Sequence, residues 1–189
     1  MRRQSSILRS IVLLVLLGTA SQANAEKFHG WVYNGITGWG SASGSGFNDS
    51  ALASNPGLGY RWGTLGVEVG HAWFGTLEDS QGTGPGSVDA RLRLKGWTVG
   101  LDFNRDLSER WALQGRAGLL LWNSDGSFDD HVAPVLDIKQ SGNDWYAGAS
   151  LEWRWHKHTS FGLGYTHFRA GDTYINVLGF ASEHRFGGD

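Results

Sequence analysis

The stretch NDWYAGASLEWRWH, residues 143–156, alternates with a period of two. Trp145, Ala147, Ala149, Leu151, Trp153 and Trp155 share one face, and Tyr146, Gly148, Ser150, Glu152 and Arg154 share the other, because successive side chains of a strand point to opposite sides. From Trp145 to Trp155 the chain advances by roughly 3.3 Å per residue. A tilt of about 45° turns that run into a rise of about 23 Å, close to the roughly 25 Å apolar band of a transmembrane barrel. Tryptophan stands at both ends of the run. One face is greasy and of bilayer height; the other mixes glycine with charge. Such a strand belongs either to a soluble barrel with a greasy interior or to a membrane barrel with a greasy exterior.

The pattern repeats on both sides of this stretch. Trp111, Leu113, Gly115, Ala117, Leu119 and Leu121 stand opposite Gln114, Arg116 and Gly118, and Trp97, Val99, Leu101 and Phe103 stand opposite Thr98, Gly100, Asp102 and Asn104. Around Gly63-Thr64, Leu58, Tyr60, Trp62, Leu65, Val67 and Val69 keep the apolar parity while Arg61 and Glu68 take the other. The alternation predicts eight strands, over 28–40, 51–62, 65–77, 89–105, 110–124, 143–156, 158–170 and 173–186. Connections after strands two, four and six are tight (63–64, 106–109 and 157), whereas those after strands one, three and five (41–50, 78–88 and 125–142) are long and rich in Gly, Ser and Asp. Short turns at one rim and long loops at the other is the asymmetry of an outer-membrane barrel, turns toward the periplasm and loops toward the surface. The short Gly171-Asp172 connection departs from it.

A lipocalin-like soluble barrel shows the same alternation, so the content of the polar face decides which face is outside. That face has few lysines and many glycines, among them Gly59, Gly66, Gly100, Gly118, Gly162 and Gly179, which suits a cramped lumen better than a solvated surface. It also carries Arg61, Glu68, Asp102, Arg116, Glu152, Arg154, Glu183 and Arg185, four of each sign. Desolvated charges must be paired, so these eight are the expected lumen ion-pair network. Trp62, Trp73, Trp97, Trp111, Trp145, Trp155 and Phe186 are the expected aromatic girdle. His71, His167, Arg169, Asn176, Ser182 and His184 fall on the apolar parity, most of them near strand ends, where polarity in lipid costs about 0–1 kcal/mol. Strand one is ambiguous.

Composition agrees. With 29 glycines, 10 tryptophans and 3 prolines the chain is poor in helix formers and rich in strand-forming aromatics. Residues 1–25 read as a cleaved signal peptide: Arg2, Arg3 and Arg9 form a basic start, 11–18 an apolar run too short to cross a bilayer, and Ala23-Asn24-Ala25 a small-x-small cleavage site. A single barrel domain over 26–189 remains, with 13 cations against 18 acids, which gives no electrostatic case for nucleic acid. Absence of cysteine excludes a disulfide framework and thiolate metal sites. Past residue 25 no run of 18 apolar residues occurs, so a closed barrel is the form in which this chain would cross a membrane.

Residues that suggest chemistry read better as scaffold. His156-Lys157-His158 fits a polar, headgroup-facing turn rather than a metal site, and Asp129, Asp130 and His131 fit a solvated loop. Ser160 near His158, and Ser182 beside Glu183 and His184, are the candidates for a hydrolytic centre, but alternation separates Ser182 and His184 from Glu183 across the wall. GTGPG, residues 82–86, lacks the lysine of a phosphate loop. No catalytic residue, metal or cofactor is assigned.

The chain resembles the eight-stranded OmpA/OmpX-type outer-membrane barrels. The likeness is carried by GLGYRWGTLGVEVGHAWFG (57–75), LSERWALQGRAGLLLWNSDG (107–126), WYAGASLEWRW (145–155) and INVLGFASEHRF (175–186), and it covers nearly all of the chain after residue 25. It implies an all-β, transmembrane, up-and-down antiparallel barrel of a Gram-negative outer membrane, monomeric, in contact with outer-membrane lipid and lipopolysaccharide, and inserted by the barrel assembly machinery. It also implies Glu68, Arg116 and Glu152 in the lumen network. Gly162 stands where the family has a lumen arginine, so Arg154 or Arg185 is expected to compensate, and the terminal aromatic, Phe186, is followed by Gly187, Gly188 and Asp189. The implied role is mainly structural for the envelope, with surface loops as the region that meets an extracellular ligand, a host cell or phage. An eight-stranded lumen is about filled by side chains, which speaks against a general porin. A narrow ion-conducting pore and a lipid-modifying enzyme are the alternatives.

Overall fold

A computed structural model describes residues 28–44, 47–81, 88–129 and 136–187. The expected signal segment, Asp130, His131, the 82–86 run, Gly188 and Asp189 therefore lie outside the described residues. Eight strands follow in chain order: β1 (His29–Gly44), β2 (Phe47–Trp62), β3 (Leu65–Gln81), β4 (Val88–Asp106), β5 (Trp111–Asp129), β6 (Leu136–His156), β7 (Thr159–Ala170) and β8 (Thr173–Phe186). Each pairs antiparallel with the next, and β8 returns to β1, closing an up-and-down barrel. Closure satisfies the ladder on both sides of every strand and leaves no sheet edge.

The strands overshoot the sequence-based bounds at the long-loop rim, while at the turn rim the one residue gained is Asp106, which the sequence reading placed in a turn. Much of the expected loop sequence is ladder: Ser41 pairs with Ser50, Asp79 with Ala90, and Asp125 with Lys139. Gly, Ser and Asp are poor strand formers alone, yet propensity yields to context once a hairpin is already paired and each added residue completes a cross-strand bond. At the opposite rim the turns stay short, Gly63-Thr64, 107–110, and Lys157-His158, so Arg110 and His158 leave the strands assigned to them.

Burial divides the faces as the alternation requires. Leu101, Leu163 and Leu178 point outward at 62%, 72% and 63% exposure, while Arg61, Glu152 and Glu183 inside are at 0–1%. Strand one resolves with Trp31, Tyr33 and Trp39 outward and Val32, Asn34 and Ile36 inward. Its neighbours decide this, since Tyr33 lies between Leu58 and His184 in register, and Asn34 between Gly57 and Glu183. Two irregularities sit side by side. β3 shifts register against β4 between Trp73 and Thr76, where Gly75 takes a φ of +67° that favours glycine; both Phe74 and Leu77 thereby face inward. On β2, Pro56 has no N–H to give, and the β2–β3 pairing lapses between Ser54↔Trp73 and Gly57↔Gly70 with the register unchanged.

Candidate functional site

The lumen is built in three layers. Nearest the short turns, Arg61 on β2 reaches across to two strands on either side. Its guanidinium donates to Glu183 on β8 (Nη1 to Oε1 2.9 Å, Nη2 to Oε2 2.7 Å) and to Asp102 on β4 through Nε (3.1 Å) and Nη2. Only a planar fork of five donors can serve two carboxylates in this way, which lysine could not. Glu183 also accepts from Arg185 Nε at 2.7 Å and Gln114 Nε2 at 3.2 Å, and Arg185 donates on to Asn104 Oδ1 at 3.2 Å. Glu152, in the same layer, is ion-paired to none of the described residues. It accepts from Ser150 Oγ at 2.8 Å and Ser160 Oγ at 2.5 Å. Its cross-strand neighbour is Gly162, which brings no cation, so hydroxyls solvate the carboxylate instead.

In the middle layer Glu68 collects four donors. Arg116 gives Nε at 3.0 Å and Nη2 at 2.8 Å, Tyr146 its hydroxyl at 2.6 Å, and Asn34 its amide at 3.1 Å. Arg116 also lies 5.7 Å over the Tyr146 ring and donates to the Asn55 carbonyl at 3.4 Å. Above this the lumen turns apolar. Phe74, Leu77, Leu94, Leu120 and Phe168 are buried there together, with Phe74 edge-on to Phe168 at 4.9 Å and Tyr146 stacked on it at 5.7 Å. Trp122 caps the layer, its indole donating to Asp144 at 2.9 Å, and Asp144 in turn accepts from the Gly171 N–H at 2.7 Å in the β7–β8 turn. The cavity between Ile36, Gln114, Arg116 and Thr166 is about 10 Å³, room for about one water. Among the described buried side-chain polar atoms, Asn34 Oδ1 and Asn55 Oδ1 lack a partner.

Of the eight charges placed inside by parity, Arg61, Asp102, Glu183 and Arg185 meet in one cluster and Glu68 and Arg116 in another. Arg154 stands apart, half-buried at the turn-side mouth with Asp106, and does not compensate for Gly162. Arg61 and Arg185 are the cations of the Glu183 cluster, and neither bonds to Glu152. The girdle residues all point outward and are exposed: Trp62, Trp111, Trp155 and Phe186 toward the short turns, Trp73, Trp97 and Trp145 toward the long hairpins. Sequence reasoning missed Trp31 and Trp39, which join the two rims, because strand one has no clean alternation. It also missed Asn34, Tyr146, Ser150 and Ser160 as network donors; lumen parity was the available signal. Ser182 and His184 face outward and Glu183 inward, with His184 Nδ1 2.9 Å from Thr159 Oγ1. Among the described residues no three metal-type side chains converge.

The family model described as outer membrane protein beta-barrel domain matches residues 10–186. Solved structures of the same fold include the attachment invasion locus protein Ail of Yersinia pestis, in complex with the heparin analogue sucrose octasulfate (15% identity, 84% of this chain and 100% of that one, TM-score 0.55). Neisserial surface protein A is similar at 14% identity, over 82% and 97%, with a TM-score of 0.59. OprG from Pseudomonas aeruginosa is similar at 12%, over 86% and 100%, with a TM-score of 0.53. No curated protein matches the sequence.

Proposed function

For this chain, which belongs to the outer membrane protein β-barrel domain family of Gram-negative bacteria, we propose a structural envelope role: a monomeric, non-conducting barrel that holds three extended hairpins at the cell surface. In this reading residues 1–25 direct export and are removed, the barrel assembly machinery inserts the strands, and outer-membrane lipid and lipopolysaccharide surround the wall. The lumen charges hold the barrel shut, and the hairpins are the part that meets an extracellular ligand.

The observation that carries the reading is the layering of the interior. A continuous ion path needs polar lining from rim to rim, whereas here the charged layers end against Phe74, Phe168, Leu94 and Leu120. Lipid modification finds no support either, since Ser160 is bound to Glu152 and no histidine bonds to it among the described residues. Planar-bilayer recording checks the proposal directly. The folded protein is expected to give no discrete conductance steps, and Glu68→Gln none either. Stable steps whose size changes in Glu68→Gln would replace this reading with the pore.

A further inference from the structure

On the outward face of β4, cations recur at every second residue above the girdle: Arg91, Arg93 and Lys95, then Trp97. All three are exposed, and the alternating Leu94 is buried in the lumen. Arg91 Nε is 3.3 Å from Glu78 Oε1. Arg93 and Lys95 form no ion pair among the described residues, although Asp125 lies opposite Arg93 in register, and Lys139 on β6 lies opposite Asp125. The outward positions around it mix neutral residues, Thr76 on β3, Asn123 on β5 and Ser141 on β6, with the acids Glu78 and Asp125 and the cation Lys139, so the cations on this face, Arg91, Arg93, Lys95 and Lys139, outnumber the acids by two.

Height gives the strip its meaning. Trp97 marks the edge of the apolar band, as tryptophan does at the membrane interface. Lys95 is two residues beyond it, about 6.6 Å along the strand and about 5 Å along the membrane normal at the usual tilt; Arg93 is about 9 Å out. The polar layer on each side of a bilayer is roughly 5–8 Å deep, so Lys95 stands among headgroups and Arg93 stands just above them, where its long side chain reaches back to them. Hairpins face the surface in such barrels, so the headgroups in question are those of the outer leaflet.

We propose that Arg93 and Lys95, seated above Trp97, form a docking strip for the phosphate groups of outer-leaflet lipid. This rests on the membrane orientation proposed above. Full-length mature protein is refolded into vesicles of phosphatidylcholine alone, or containing phosphorylated or dephosphorylated lipid A, and the band shift of unboiled samples reports folding in each. The thermal midpoint for loss of that shift is then measured. At about 1 kcal/mol per cation near an anionic surface, two cations raise the midpoint by about 4–8 °C in phosphorylated lipid A relative to the other two vesicles. The rise disappears in the Arg93→Gln, Lys95→Gln double variant, persists in Arg110→Gln at the opposite rim, and is not reproduced by inorganic phosphate added to phosphatidylcholine vesicles. An equal rise in wild type and double variant, no rise at all, or a rise with inorganic phosphate alone overturns the strip. Failure to insert into any vesicle overturns the membrane reading and the strip with it; normal insertion without a phosphate effect overturns the strip alone.

Discussion

Glu68 is the residue on which the middle of the barrel converges, with two nitrogens of Arg116, the Tyr146 hydroxyl and the Asn34 amide all donating to it. Its removal leaves a buried guanidinium with no counter-charge, and breaking such a pair from one side costs about 3–5 kcal/mol. Glu68→Gln is therefore expected to lower the urea midpoint of the refolded barrel strongly. Adding Arg116→Met to it recovers most of the loss, because the unpaired charge is gone. Unfolding in urea on vesicles measures both, and a double variant no better than the single one would show that the pair is not the source. Arg154→Gln is the contrasting case. Its partner Asp106 lies at the wetter mouth, where an ion pair contributes at most about 1 kcal/mol, so the midpoint barely moves. Parity alone placed Arg61, Glu68, Asp102, Arg116, Arg154 and Glu183 on one face; which acids Arg61 meets was not legible, because it finds Asp102 and Glu183 on strands far away in sequence.

At the level of single strands, lipid exposure and glycine contacts make separate predictions. Leu101 sits midway along the outward face of β4, between Trp97 and Arg105, at 62% exposure. Leu101→Arg is expected to cost about 2–4 kcal/mol in a bilayer, as arginine does at the midplane of such barrels. In a water-soluble barrel the same change would be near neutral, so equal stability of the variant refutes the lipid-facing assignment. Gly162 offers the inward counterpart: a Cβ there would run into the Leu151 carbonyl and the backbone of Glu152. Gly162→Ala is expected to destabilise by about 1–3 kcal/mol through overpacking, with faster amide exchange in the β6–β7 ladder as its local signature. The strand count, the turn rim and the outward faces of β4, β5 and β6 were readable from period-two alternation. The hairpin-side ends were not, since Gly, Ser and Asp mark loops by propensity and here continue a ladder that pairing had already begun. The Trp73 to Thr76 register shift was hidden for a different reason: a bulge moves Leu77 inward without any break in the apolar run that encodes it.

For the whole molecule, a closed ladder with its apolar residues outside predicts a barrel that resists detergent until heated. Unboiled protein from outer-membrane fractions should migrate differently from boiled protein on SDS gels; identical migration together with recovery from the soluble periplasm would contradict the fold's setting. The sequence by itself determined that there are eight strands, which face of most of them is apolar, and that the eight lumen charges lie opposite the tryptophans of the girdle, because those properties depend only on the two-residue repeat of an extended chain. Closure decided the rest. Only when β8 meets β1 does Arg61, with Asp102, come within bonding distance of Glu183 and its neighbour Arg185, and only then does strand one acquire a definite inside. The apolar layer across the lumen likewise belongs to the tertiary structure. Whether a charged interior conducts depends on what lies above it along the axis, and the layer of Phe74, Leu94, Leu120 and Phe168 is assembled from four strands whose contacts no local pattern specifies.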